Sequence, residues 1–142
     1  MHPPILRALP RLQYLSLAYN AITDSGLAFL EGCPKLQSLT LSFNKITDFG
    51  LVYLEGLPKL QSLDLSFNPI TDSGLVHLKG LTGLRNLDLH FTLISDSGLV
   101  NRRGLTELRY LNLFGTRVTK TGKGDLESLL KNVRIHLDLL DY

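Results

Sequence analysis

The sequence predicts an α/β solenoid, a row of strand, turn, helix and turn units stacked side by side. Three observations predict it. Leucines recur at positions 12, 36, 60, 84 and 108, each 24 residues after the last, and a constant period of that size marks units that bury their apolar faces against one another. Every one of them opens an L-x-x-L-x-L pattern whose last two leucines alternate with polar residues, the period of a half-buried strand. Each unit then reads I-T-D-x-G-L or close to it, a hydroxyl residue and an acid ahead of an apolar run, which is how a short helix begins.

Taken in order, the strands are expected around Leu15 and Leu17, Leu39 and Leu41, Leu63 and Leu65, Leu87 and Leu89, and Leu111 and Leu113. The turn after each strand carries Asn20, Asn44 or Asn68, and then Thr92 and Thr116. A buried amide both donates to and accepts from backbone groups that a bend leaves unpaired, whereas Thr offers only a hydroxyl. Thr23, Thr47, Thr71 and Ser95 are expected to cap the helices through their side chains, with the following Asp at the positive end of the helix dipole. Leu27, Leu30 and Cys33 follow at a spacing of three, as do Leu51, Leu54, Leu57 and Leu75, Leu78, Leu81, so one face turns inward. Gly32, Gly56, Gly80 and Gly104 fall where left-handed helix caps are expected.

The units therefore divide as 12–35, 36–59, 60–83 and 84–107, within one domain over 1–142. Residues 1–11 match the tail of a preceding helix, since Ile5, Leu6, Leu9 and Pro10 align with Phe29, Leu30, Cys33 and Pro34. No polar cap covers that end, so the strand edge over Leu12 to Leu17 is expected either to continue a longer array or to pair with a second copy as a homodimer. Residues 108–142 form the last unit and a C-terminal cap: Lys120 and Lys123 replace the Asp and the first helical Leu, Leu126, Leu130 and Val133 point inward, and Ile135, Leu137 and Leu139 alternate as a closing strand. Arg102 breaks the pattern, occupying the place that Leu30, Leu54 and Leu78 fill in other units.

The motif L-x-x-L-x-L-x-x-N-x-I-T-D-x-G-L resembles the leucine-rich repeat family in the subtype with T-D-x-G-L at the helix start. The resemblance extends over about residues 5 to 135. Such repeats are similar to those of ribonuclease-inhibitor-like proteins, F-box substrate receptors of ubiquitin ligases and many bacterial proteins. The resemblance implies a right-handed solenoid with its parallel sheet on the concave face and short helices on the convex face. It also implies a scaffold for binding rather than an enzyme.

At 142 residues and 44% hydrophobic, the chain suits one cooperative unit. A net charge of +2 makes wholesale nucleic-acid binding an unfavoured expectation. Basic residues nonetheless gather between 101 and 134, where Arg102, Arg103, Arg109, Arg117, Lys120, Lys123, Lys131 and Arg134 face only Glu107, Asp125 and Glu127. Cys33 has no second cysteine to bridge to, no stretch is long and apolar enough for a membrane span, and the first ten residues lack the apolar core of a secretory signal, so a cytoplasmic location is expected.

In a parallel sheet residue n lies beside n+24, about 4.8 Å away, so columns on the exposed face can be read from the sequence. The third place gives Tyr14, Ser38, Ser62, Asn86, Tyr110, the fifth Ser16, Thr40, Asp64, Asp88, Asn112, and the seventh Ala18, Ser42, Ser66, His90, Phe114. The eighth gives Tyr19, Phe43, Phe67, Phe91 and Gly115. Four rings over three strand spacings, about 14 Å, beside a small polar floor have the composition of an interaction hot spot. The alternative is that the rings stack over the turn and only stiffen it. A protein or peptide partner is expected to meet Tyr14, Tyr19, Phe43, Asp64, Phe67, Asp88, His90, Phe91, Tyr110 and Phe114. Two further roles stay open: substrate recognition in a larger assembly such as a ubiquitin ligase, and a weak cation or hydrolytic site at Asp64, Asp88 and His90. No partnered nucleophile, Cys/His metal spacing or phosphate loop appears, so no catalytic residue, metal or cofactor is expected.

Overall fold

The computed structural model describes residues 9–101, 105–130 and 132–137. Six strands, β1 (Tyr14–Ser16), β2 (Ser38–Thr40), β3 (Ser62–Asp64), β4 (Asn86–Asp88), β5 (Tyr110–Asn112) and β6 (Arg134–His136), form one parallel sheet in sequence order. The register follows the repeat: Leu15 pairs with Leu39, Leu39 with Leu63, Leu63 with Leu87, Leu87 with Leu111, and Leu111 with Ile135. These residues and the leucines before and after them line one continuous core, in which Leu36, Leu60 and Leu84 are fully buried. Together with the helical segments described next, this is an α/β solenoid.

Among the described residues, the segments Asp24–Gly32, Asp48–Gly56, Asp72–Leu78 and Asp96–Asn101 are 3₁₀ helices, and α1 (Lys120–Leu129) alone is α-helical. The inward side chains explain the difference. Leu27, Leu30 and Cys33, all buried, recur every three residues, and a helix of three residues per turn places such a series in one line. In the last unit the inward pair is Leu126 and Leu130, four apart, which suits the wider α turn.

Thr23, Thr47 and Thr71 hold the N-cap positions, yet the side chains of Thr23 and Thr71 make no cap hydrogen bond. Thr47 Oγ1 accepts from Phe49 N at 3.4 Å and Thr119 Oγ1 from Gly122 N at 3.3 Å, and where a preceding unit offers an Asp, the hydroxyl also donates to that unit. Thr47 N and Oγ1 donate to the two carboxylate oxygens of Asp24, at 2.7 and 2.5 Å. Thr71 does the same to Asp48, Ser95 to Asp72 and Thr119 to Asp96. The glycine two residues beyond each of these Asp positions in the next unit leaves room for that carboxylate. A methyl group on Gly50 would run into Asp24, and one on Gly74, Gly98 or Gly122 into Asp48, Asp72 or Asp96. The conserved spacing along the chain therefore encodes a bond between units more than a cap within one.

On the other side of the units the asparagines act as expected. Asn44 Nδ2 donates to the carbonyls of Leu17, Leu41 and Ser42, while its Oδ1 accepts from Asn20 N and Ile22 N. Asn68 repeats the arrangement with Leu41, Leu65, Ser66 and Ile46. Thr92 Oγ1 donates to Leu89 O, and Thr116 Oγ1 donates to Leu113 O and accepts from Val118 N, all inside their own units. The expected left-handed caps are absent: Gly32, Gly56 and Gly80 are not among the residues with positive φ, and the first two segments end instead at Cys33 and Leu57, with negative φ and an N–H bonded to Leu30 O and Leu54 O. The N-terminal Ile5 and Leu6, and Arg102, Arg103, Gly104, Lys131 and Leu139, lie outside the described residues.

Gly50→Ala is expected to lower stability by about 2 kcal/mol, from overpacking against a fixed carboxylate. Much of that loss should vanish in an Asp24→Ala background, a coupling that denaturant unfolding of the double-mutant cycle would measure.

Candidate protein-interaction surface

The chain leaves each strand through a residue in the left-handed region, and in four units that residue is aromatic: Tyr19 (φ 62°), Phe43 (57°), Phe67 (56°) and Phe91 (53°). In the fifth unit Gly115 takes the same conformation at φ 71°. Glycine adopts it freely, whereas a bulky residue there is an outlier. The bend directs successive rings onto one another. Centroids of Tyr19 and Phe43 lie 4.2 Å apart, of Phe43 and Phe67 3.9 Å, and of Phe67 and Phe91 4.8 Å, with interplanar angles of 12°, 14° and 25°. Phe91 closes the stack by lying over Gly115, where an added Cβ would come within 2.7 Å of the ring.

The stack remains open to solvent. Tyr19 is 71% exposed, Phe43 36% and Phe91 46%, with Phe67 half-buried between them. A shallow groove of about 390 Å³, lined by Tyr19, Ala21, Phe43, Asn44, Lys45 and Phe67, runs beside the first three rings. Because ring faces are occupied by neighbouring rings, the ladder presents mainly edges to a visitor, and edges carry the positive part of the aromatic quadrupole.

His90 links this ladder to the floor of the sheet. Its ring stands edge-on to Phe67 at 5.0 Å and contacts Phe91 at 5.8 Å, while its Nδ1 is hydrogen-bonded to Asp88. Phe114 continues the apolar path from Phe91 at 5.5 Å and stacks on His136, also at 5.5 Å. Asp64 and Asp88 are paired neighbours on β3 and β4, as the columns predict. Each turns back on its own strand end: Asp64 Oδ1 accepts from Ser66 N and Oγ at 2.9 and 2.6 Å, and Asp88 Oδ1 from His90 N at 3.1 Å. Tyr14 and Tyr110 occupy strands β1 and β5, four strand spacings or about 19 Å apart, so the fold does not bring them together.

Two features of this surface escaped the sequence. The left-handed backbone under the rings was signalled only by Gly115 standing in an otherwise aromatic column. His136 extends the ring path because β6 places it beside Asn112, one further step of 24 residues in the fifth column, beyond the point where the columns read from the sequence stop. Among the described residues no cluster of three or more metal-ligating side chains occurs, and no helix is long and apolar enough to cross a membrane.

Comparison with known proteins agrees with the architecture. The model for Leucine rich repeat matches residues 10–70, and that for Leucine Rich repeats (2 copies) matches residues 58–101. Among solved structures, a Leptospira interrogans LRR protein is similar at 27% identity and TM-score 0.72, over 94% of this chain. An internalin C2 from Listeria monocytogenes is similar at 26% identity and TM-score 0.58, over 92% of this chain. The chain spans 33% of the first protein and 63% of the second. A comparison with curated proteins gives no match. The repeated motif, the six-stranded parallel register and these matches show that the chain belongs to the leucine-rich repeat family.

Proposed function

We propose that this leucine-rich repeat chain is a non-enzymatic protein-interaction module whose partner, a protein or peptide, docks on the ladder of Tyr19, Phe43, Phe67 and Phe91. Contacts from Tyr14, Asp64, Asp88, His90, Tyr110 and Phe114 on the adjoining sheet complete the surface. Leucine-rich repeats commonly serve protein interaction, which is the coarser basis for the reading. The observation that carries it is the exposed aromatic in left-handed backbone, four times over.

Magnitudes favour binding over mere stiffening. A non-glycine residue in the left-handed region costs about 1–2 kcal/mol, and an aromatic pair returns about 0.5–1.5 kcal/mol beyond its burial. Glycine in the same place avoids the strain at an entropic cost of about 0.5–1 kcal/mol. Stability is therefore nearly indifferent between ring and glycine, and Gly115 takes the same bend without a ring. Rings that contribute little net stability while half exposed are what a docking surface supplies to a partner. The hydrolytic alternative at Asp64, Asp88 and His90 has less support, since Asp88 and His90 engage each other and Asp64 engages Ser66, with no activated nucleophile among them.

Two measurements test this reading. Phe67→Gly is expected to be more stable than Phe67→Ala by about 1 kcal/mol, because glycine releases the left-handed strain that alanine keeps; the reverse order in denaturant unfolding would show that the backbone there is not strained. A Phe43/Phe67/Phe91 triple glycine variant should stay folded yet lose the proteins that the wild type captures in a quantitative pull-down. An identical captured set would reject the ladder as the docking surface.

A further inference from the structure

The sheet carries a second feature, on the rim opposite the rings, where the strands begin. The second place of each unit reads Gln13, Gln37, Gln61 and then Arg85 and Arg109. Neutral amides thus give way to guanidinium groups halfway along the array. Arg109 N donates to Arg85 O at 2.8 Å within this column, and Arg134, in the neighbouring column as the partner of Tyr110 at the start of β6, donates its N–H to Arg109 O at 2.7 Å. Three arginines therefore start three successive hydrogen-bonded chains, spanning about 10 Å at the strand spacing. All three are exposed.

Like charges on adjoining strands are destabilising, and among the described residues no ion pair relieves them. Among the described residues, the ion pairs within 4.0 Å are His77 with Glu55 and His90 with Asp88, and neither involves an arginine. The acids on the same sheet, Asp64 and Asp88, are hydrogen-bonded toward the opposite ends of their strands, to Ser66 and His90.

We propose that Arg85, Arg109 and Arg134 receive an acidic polypeptide segment, the part of the partner that crosses the sheet from the ring ladder to the far rim. This rests on the interaction-module reading and specifies the partner's chemistry. Guanidinium groups pair with carboxylates through two parallel hydrogen bonds, and an extended segment with acids at alternate residues, about 6.8 Å apart, reaches two of the three at once. A polypeptide fits better than a nucleic acid, because the cationic run is short, the chain's net charge is only +2, and Asp64 and Asp88 on the same face would repel a continuous phosphate backbone.

The test uses fluorescein-labelled hexaglutamate and fluorescence anisotropy at low ionic strength, with the wild type and an Arg85→Gln/Arg109→Gln variant. Glutamine is the residue that the same place carries at 13, 37 and 61, so the change suits the register, and an unaltered Tm confirms the fold. Binding by the wild type that weakens with salt, is about tenfold weaker in the arginine variant and is unchanged in the triple glycine ladder variant supports the rim. Absent binding, equal binding by the arginine variant, or tighter binding of a single-stranded oligothymidylate of equal charge overturns it. The two surfaces fail separately: loss of the ladder reading leaves hexaglutamate binding intact, and loss of the rim leaves ladder-dependent capture intact.

Discussion

Each unit of this solenoid is tied to the next by one carboxylate. Asp24, Asp48, Asp72 and Asp96 reach across to the hydroxyl residue that starts the following helix and accept from both its amide and its side chain. Bonds to an ionised acceptor are the stronger class, and here they recur on every boundary from the first unit to the fifth. Asn44 and Asn68 make the corresponding ties beside the sheet. Apolar burial between stacked leucines is non-directional and tolerates sliding. Directional bonds on both sides fix the step, and with it the 24-residue register of the strands.

A fixed register turns single substitutions into columns. Aromatic residues at one place in four units become a ladder only because neighbouring strands keep them about 4.8 Å apart, close to the thickness of stacked rings. The left-handed bend beneath them aims each ring at the next. The same rule that builds the ladder builds the arginine rim, since Arg85 and Arg109 share a column that is neutral in earlier units. The core leucines are nearly invariant from unit to unit, so the differences that distinguish this chain lie in the columns facing solvent.

Strands, their order and their pairing were legible in the sequence because L-x-x-L-x-L closes on the alternation of a half-buried strand and recurs every 24 residues. The column positions of Asp64, Asp88 and the rings followed directly. Helix type was less legible: a spacing of three fits a 3₁₀ helix, but it also fits one side of an α-helix. The role of Thr and Asp at the helix starts was hidden by degeneracy, since a local cap and a bond between units call for the same residue types. One residue does separate them. Lys120 replaces the Asp of its own unit, yet Gly122 is retained, because that glycine clears space for Asp96 of the unit before. The left-handed aromatics went unseen because local rules assign that conformation to glycine, and tertiary stacking overrides them here.

Exposed rings on the ladder and the exposed ring of Phe49 on the helical side give the molecule its own internal control. Phe49 takes the place that Ser25, Ser73 and Ser97 occupy in other units and is 84% exposed on its 3₁₀ segment. Hydroxyl-radical footprinting of Phe and Tyr side chains, with and without a captured partner, compares the two faces in one experiment. Slowed oxidation at Tyr19, Phe43, Phe67 and Phe91 with Phe49 unchanged is the predicted result. Protection of Phe49 with the ladder still fully reactive would contradict it.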